Sequence, residues 1–88
     1  TKMKVQKPWG YELIWAKTDD YVGKNIFINK GHRLSLQYHE KKEESILLIE
    51  GRLILQIEDD EITLTKGMSY HIPAKTIHRM TAVTDCNI

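Results

Sequence analysis

Residues 35–45, SLQYHEKKEES, decide how this chain is read. A strand that packs one face on a core alternates apolar and polar residues, with the polar side toward water. Here Leu36 and Tyr38 alternate with Ser35, Gln37 and His39, and a charged run ends at Glu44, just before the apolar run Ile46–Ile49. An amide and an imidazole two residues apart project from the same face of a strand. The expectation is that this polar face points inward.

Outward from that stretch, short β-rich runs follow one another between Gly, Asp and Pro, and no run reads as a convincing helix. The expected strands are YELIWAK, NIFIN, RLSLQYH, SILLIEG, RLILQIE, EITLT, SYHIP and HRMTAV. Asp59 and Asp60 suit the tight turn of a hairpin between RLILQIE and EITLT. Gly31, Gly51 and Gly67 stand where a positive φ is cheapest, and Pro73 forces a corner before His78. This spacing favours an all-β sandwich or barrel. AVTDCNI at 82–88 begins what reads as another strand, so a C-terminal strand or tail missing from this barrel stays open.

A chain of 88 residues has room for one domain, residues 1–88, with a modest core. Thirteen basic and twelve acidic side chains leave a net charge of +1, which argues against nucleic acid as a partner. The single Cys86 excludes an intramolecular disulfide and fits a reducing compartment. No apolar stretch approaches the ~20 residues that cross a bilayer, and TKMKVQKPWG lacks the apolar segment of a secretory signal. A cytoplasmic protein without a membrane partner is expected.

Strand parity puts Leu34, Leu36 and Tyr38 on one face, and Arg33, Ser35, Gln37 and His39 on the other. In the next strand Glu44, Ile46 and Leu48 share a face opposite Ser45, Leu47 and Ile49. If Glu44 opens that strand beside His39, and the corner at Pro73 returns His78, then Gln37, His39, Glu44 and His78 supply two imidazoles, a carboxylate and an amide oxygen. Such donors suit one divalent transition metal, Zn, Mn, Co, Ni or Fe. A lone strand histidine is more often only partly exposed, and Glu44 can belong to a solvated charge run. Spacing alone does not choose between these readings.

The punctuation adds a pattern. Gly31, five residues, Gln37, one residue, His39, four residues, Glu44, six residues and Gly51 resemble the first cupin motif, with Gln in place of its first His. Gly67, five residues, Pro73, four residues and His78 resemble the second, with Lys75 where that motif usually has Gly. KPWGYELIW, GHRLSLQYH and YHIPAKTIHR look like the C-terminal cupin domain of type II mannose-6-phosphate isomerases, often fused to a mannose-1-phosphate guanylyltransferase. The Gln-for-His exchange is itself a feature of that subfamily. Departures are Ser45 and Ile46 where His and Trp usually follow the glutamate, and Ala82 where the second motif has Asn. Family members also continue into a further strand and a basic tail.

The resemblance implies a cupin β-barrel of jelly-roll type, a metal on Gln37, His39, Glu44 and His78, and a sugar-phosphate isomerase converting mannose 6-phosphate to fructose 6-phosphate. Arg33 is the expected catalytic residue and, with Ser35 and His71, the expected substrate contact, for a sugar phosphate or sugar nucleotide. The alternatives are a metal-binding cupin module that holds such a sugar without turning it over, and an oxygen-using iron cupin. Arg79 reads as a surface or structural ion pair, Trp9 and Trp15 as packing or sugar-stacking rings, and Lys41 and Lys42 as a solvated turn. A homodimer through Leu34, Leu36 and Tyr38 is expected.

Overall fold

A computed structural model describes residues 3–88. Nine strands follow in chain order: β1 Met3–Lys7, β2 Gly10–Lys17, β3 Val22–Ile28, β4 Glu44–Leu47, β5 Arg52–Ile57, β6 Asp60–Thr65, β7 Ser69–Ile72, β8 His78–Ala82 and β9 Cys86–Asn87. They pair antiparallel in the orders β1-β2-β3-β9, β4-β7 and β6-β5-β8. A bridge between Glu50 and Asn87 ties the end of the β4 run to β9. The expected all-β architecture is what forms, and no described helix is long and apolar enough to cross a membrane.

Period-two alternation builds the core. Ile26 and Ile28 of β3, Leu53 and Leu55 of β5, Ile72 of β7, and Met80 and Ala82 of β8 all turn into one buried cluster, where Ile46, Leu48 and Leu64 join them. Trp9 packs against this cluster, whereas Trp15 is half exposed. Cys86 lies in it too, and burial pushes its thiol up from the ordinary value.

Three local expectations are corrected. RLSLQYH is not a continuous strand. Arg33 pairs with Thr81 and Gln37 with His78, so the three residues 34–36 on one side oppose the two residues 79–80 on the other, which is a β-bulge. One extra residue reverses the parity, since directly paired residues project to the same face. Leu34 is therefore buried, while Leu36 and Tyr38 are about half exposed and do not share its face. A homodimer contact cannot include Leu34.

The hairpin turn lies one residue earlier than expected. Ile57 pairs with Asp60, leaving Glu58 and Asp59 as the loop, with Glu58 at φ 50°. A positive φ matches the twist that two-residue hairpins need. The third correction is one of omission, because β1 is absent from the strands expected above, whereas β9 starts at Cys86, within AVTDCNI, where another strand was expected to begin.

Gly31, Gly51 and Gly67 all adopt positive φ as expected, and so does Lys75, at φ 61°. The second cupin motif usually has glycine there. The backbone therefore keeps the glycine conformation while the residue has changed, at the steric cost of a Cβ in the left-handed region. Lys75 N donates to His39 O at 2.6 Å, which ties this turn to the residues before β4. Lys75→Gly is expected to stabilise the protein by about 1 kcal/mol, raising the thermal midpoint by about 4–8 °C. An unchanged or lower midpoint in thermal unfolding would show that the turn is unstrained.

Candidate metal centre

Backbone pairing brings the candidate ligands together before any side chain does so. Gln37 N donates to His78 O and His78 N donates to Gln37 O, both at 2.9 Å, which clamps the bulged segment to the start of β8. His78, Met80 and Ala82 face the core, so Gln37, paired with His78, faces it as well. Two residues on, His39 follows to the same side. Glu44 is the first residue of β4 and shares the inward face of Ile46, as its parity predicts.

Ligand atoms of His39, Glu44 and His78 lie within 4.8 Å of one another. His78 is 2% exposed. Its Nδ1 stands 3.0 Å from Thr76 O, and a carbonyl can only accept, so Nδ1 carries the hydrogen of that bond and Nε2 is turned toward the other two residues. That Nε2 lies 2.7 Å from Glu44 Oε1, yet neither atom has a properly aligned hydrogen-bond partner. His39 Nε2 is likewise buried and unpartnered. The two imidazole rings are tilted by 48° with centroids 5.9 Å apart.

Such an arrangement is costly as it stands. Buried polar atoms are nearly always satisfied, and here three close together find no aligned hydrogen-bond partner among the described residues. Three unpartnered ligand atoms that converge suit one cation, which would satisfy all three together. Two imidazole nitrogens and a carboxylate oxygen fit a divalent transition metal, and the bond from His78 Nδ1 to Thr76 is the outer contact that fixes a ligating tautomer. The Gln37 amide is half-buried on the same face and makes no side-chain hydrogen bond among the described residues.

The other site candidates fall elsewhere. Arg33 pairs with Thr81, which alternates with the inward residues of β8, so Arg33 projects to the opposite face from Gln37 and is exposed. The shared face of Arg33, Ser35, Gln37 and His39 does not form, and Ser35 is exposed. His71 also faces out. It pairs with Ser45, places Nδ1 3.1 Å from Ser45 Oγ, and has Nε2 3.5 Å from Glu43 Oε2. Arg79 faces outward as expected, but its Nε is buried without a partner and it forms no ion pair among the described residues. Lys41 and Lys42 are exposed.

Two charged residues that sequence reasoning missed lie on the inner face. Glu12 pairs with the buried Ile26, and Lys24 lies two residues before Ile26 on the same side. Lys24 Nζ donates to Glu12 Oε2 at 3.1 Å, and Glu12 is 14% exposed. Their signal was the parity they share with Ile26 and Ile28.

A barrel of short strands with His, Glu and His converging from the bulged segment, β4 and β8 defines a cupin. A solved RmlC-like cupin from Shewanella frigidimarina superposes with a TM-score of 0.87 at 17% identity, over 98% of this chain and 78% of that one. The model of the family "Mannose-6-phosphate isomerase C-terminal" matches residues 1–87, and the chain belongs to that family. The chain is 30% identical over 77 residues to the alginate biosynthesis protein AlgA of Pseudomonas aeruginosa, which is 88% of this chain and 16% of that protein. Against a mannose-1-phosphate guanylyltransferase of Salmonella muenchen, identity is 26% over 78 residues, 89% of this chain and 16% of that protein. The chain thus spans about a sixth of the length of these relatives.

If the three acceptors hold a metal, a saturating divalent ion at about 100 times its dissociation constant adds about 2.7 kcal/mol of stability. A rise in thermal midpoint of about ten degrees with Zn or Co is expected. Glu44→Gln, which keeps the shape but loses the charge, should lose most of that rise, and the outward His71→Ala should keep it. Equal shifts in all three proteins would place the metal elsewhere.

Proposed function

We propose that this chain is a metal-dependent cupin acting on sugar phosphates, with the interconversion of mannose 6-phosphate and fructose 6-phosphate as its reaction. The observation that supports it is the convergence of His39, Glu44 and His78 in a chain of the mannose-6-phosphate isomerase C-terminal family. Isomerisation between aldose and ketose needs a polarised carbonyl, a group that moves a proton between adjacent carbons, and positive charge for the phosphate. A divalent ion, when bound, supplies the first as a Lewis acid.

The chain's own residues supply the rest from the inner face. Lys24 is the inward ammonium suited to an anionic substrate, in place of the outward Arg33. Glu12 and the half-buried, inward Tyr70 are the groups near enough to the interior to be weighed as proton carriers, in place of His71. Gln37 completes the donor set beside His78. Expected outcomes are turnover of mannose 6-phosphate by the metal-loaded protein and a loss of at least about 100-fold in His78→Ala, if each ligand is needed for Lewis acidity. Full activity in that variant would remove these ligands from the reaction.

A second reading rests on a specific observation: of Arg33, Ser35 and His71, the residues expected to meet substrate, Arg33 and His71 face away from the cluster and Ser35 is exposed. A cupin module that binds a sugar phosphate or sugar nucleotide without converting it then remains. Saturable binding by calorimetry with no product formed would select it. Association into a homodimer through the exposed Leu36 and Tyr38 belongs to the same proposal. Light scattering at micromolar concentration should show twice the monomer mass, and a monomer would withdraw the contact.

A further inference from the structure

An aromatic column crosses the outer face of the sheet β1-β2-β3-β9. Phe27 alternates with the inward Ile26 and Ile28, so its ring stands on the outside, and direct pairing brings Tyr11 to the same face. The two rings stack with centroids 4.5 Å apart and planes 19° from parallel. Since β2 lies between β1 and β3, Lys4 of β1 reaches Tyr11 from the side away from Phe27, and its Nζ stands 4.3 Å from the ring centroid. One end of the column therefore already carries a cation. At the other end Phe27 pairs with Asn87 of β9.

That second end opens on a cavity of about 270 Å³, lined among others by Tyr11, Phe27, Asn29, Glu50, Asp85 and Asn87. Two carboxylates line it and no basic side chain does. Asp85 Oδ1 accepts from Lys30 N at 2.7 Å, which fixes the carboxylate and leaves its second oxygen free to accept. A Cβ at Gly51 would clash with Asp85 O, so the glycine lets this turn close beside Glu50. Glu50 is bridged through its backbone to Asn87, and its exposed carboxylate has Lys66 Nζ at 2.8 Å. The walls are thus paired strands and bonded turns. The cavity opens on the outer face, whereas His39, Glu44 and His78 are turned inward.

We propose that this cavity binds a guanidinium group, stacked on the end of the aromatic column and forked onto Asp85. The negative face of an aromatic ring attracts a cation, and the Lys4 contact shows this column holding one at its other end. A planar guanidinium fits better than an ammonium, because it lies flat against a ring while its N–H fork meets a carboxylate in the plane of the group. The amide oxygens of Asn29 and Asn87 are further acceptors at the rim. An anion would meet two carboxylates here, so this is not a second subsite for sugar phosphates, and the inference does not depend on the proposed reaction. A free small molecule and an arginine of a polypeptide both offer the group, and the choice of probes separates them.

The test is a two-dimensional amide NMR titration of the intact chain with butylguanidinium, with butylurea, which has nearly the same shape without the charge, and with a capped Gly-Arg-Gly peptide. One charge-assisted contact and one cation–π contact at a solvent-open site lead to an expected dissociation constant of about 1–10 mM for the guanidinium. Saturable shifts are expected at the amides of Phe27, Asn29, Asp85 and Asn87, with Leu53 and Leu55 inside β5 unmoved. Butylurea should bind at least about tenfold more weakly. Phe27→Leu, which removes the ring, and Asp85→Asn, which keeps an acceptor for Lys30 N, should each weaken guanidinium binding by about three- to tenfold, with the β5 amides reporting an intact fold. Tighter binding of the peptide than of butylguanidinium would identify the occupant as an arginine of a polypeptide, and weaker binding of the peptide would identify it as a free small molecule. No saturable shift with either guanidinium probe, equal binding of butylurea, or undiminished binding in either variant would overturn the proposal. So would tighter binding of neutral mannose at the same amides, which would make the column a sugar platform.

Discussion

The contact between His78 Nε2 and Glu44 Oε1, 2.7 Å with no hydrogen aligned between them, is the constraint around which the rest of this molecule is arranged. Thr76 O accepts the hydrogen of His78 Nδ1, which fixes the ring with Nε2 against the carboxylate. Folding has to bury these groups together without aligned hydrogen bonds between them, and it does so through backbone: the paired bonds between Gln37 and His78, the bond from Lys75 to His39, and the register of β4 on β7 that starts at Glu44. None of these bonds depends on the side chains that they position. A cation at the meeting point would give all three unpartnered atoms a partner at once.

Most of the fold was legible because alternation is a backbone property that sequence displays. Glu44, Ile46 and Leu48 inward, with Leu47 and Ile49 outward, follow from counting by twos. Counting failed where a residue was inserted. The bulge between Arg33 and Gln37 leaves no mark in RLSLQYH, and it moved Arg33 and Ser35 out of the face that Gln37 and His39 occupy. For His71 the parity was known but not its sign, and only the packing of Ile72 and Tyr70 on the core decides it. The two-residue β9 falls in AVTDCNI, where a strand was expected to begin, and its pairing on both sides fixes its place.

Residue chemistry and motif spacing carried the cluster itself further than either would alone. Glycine positions were read correctly because positive φ favours that residue, and Lys75 shows the same backbone surviving the loss of the glycine. Glu12 and Lys24 were overlooked although their parity with Ile26 placed them inward, since an ion pair across β2 and β3 gives no local signal. The inner face therefore has a different chemistry from the one expected. It presents a lysine–glutamate pair beside a His–Glu–His cluster, with Arg33 and His71 turned to the outside.

The most direct measurement is the metal content of purified protein by elemental analysis, wild type beside His39→Ala, after incubation with a divalent transition metal and removal of the excess. The account predicts about one ion per chain in the wild type, since three convergent donors form one site, and a marked loss in the variant. No retained metal in the wild type, or equal retention in both proteins, would contradict it.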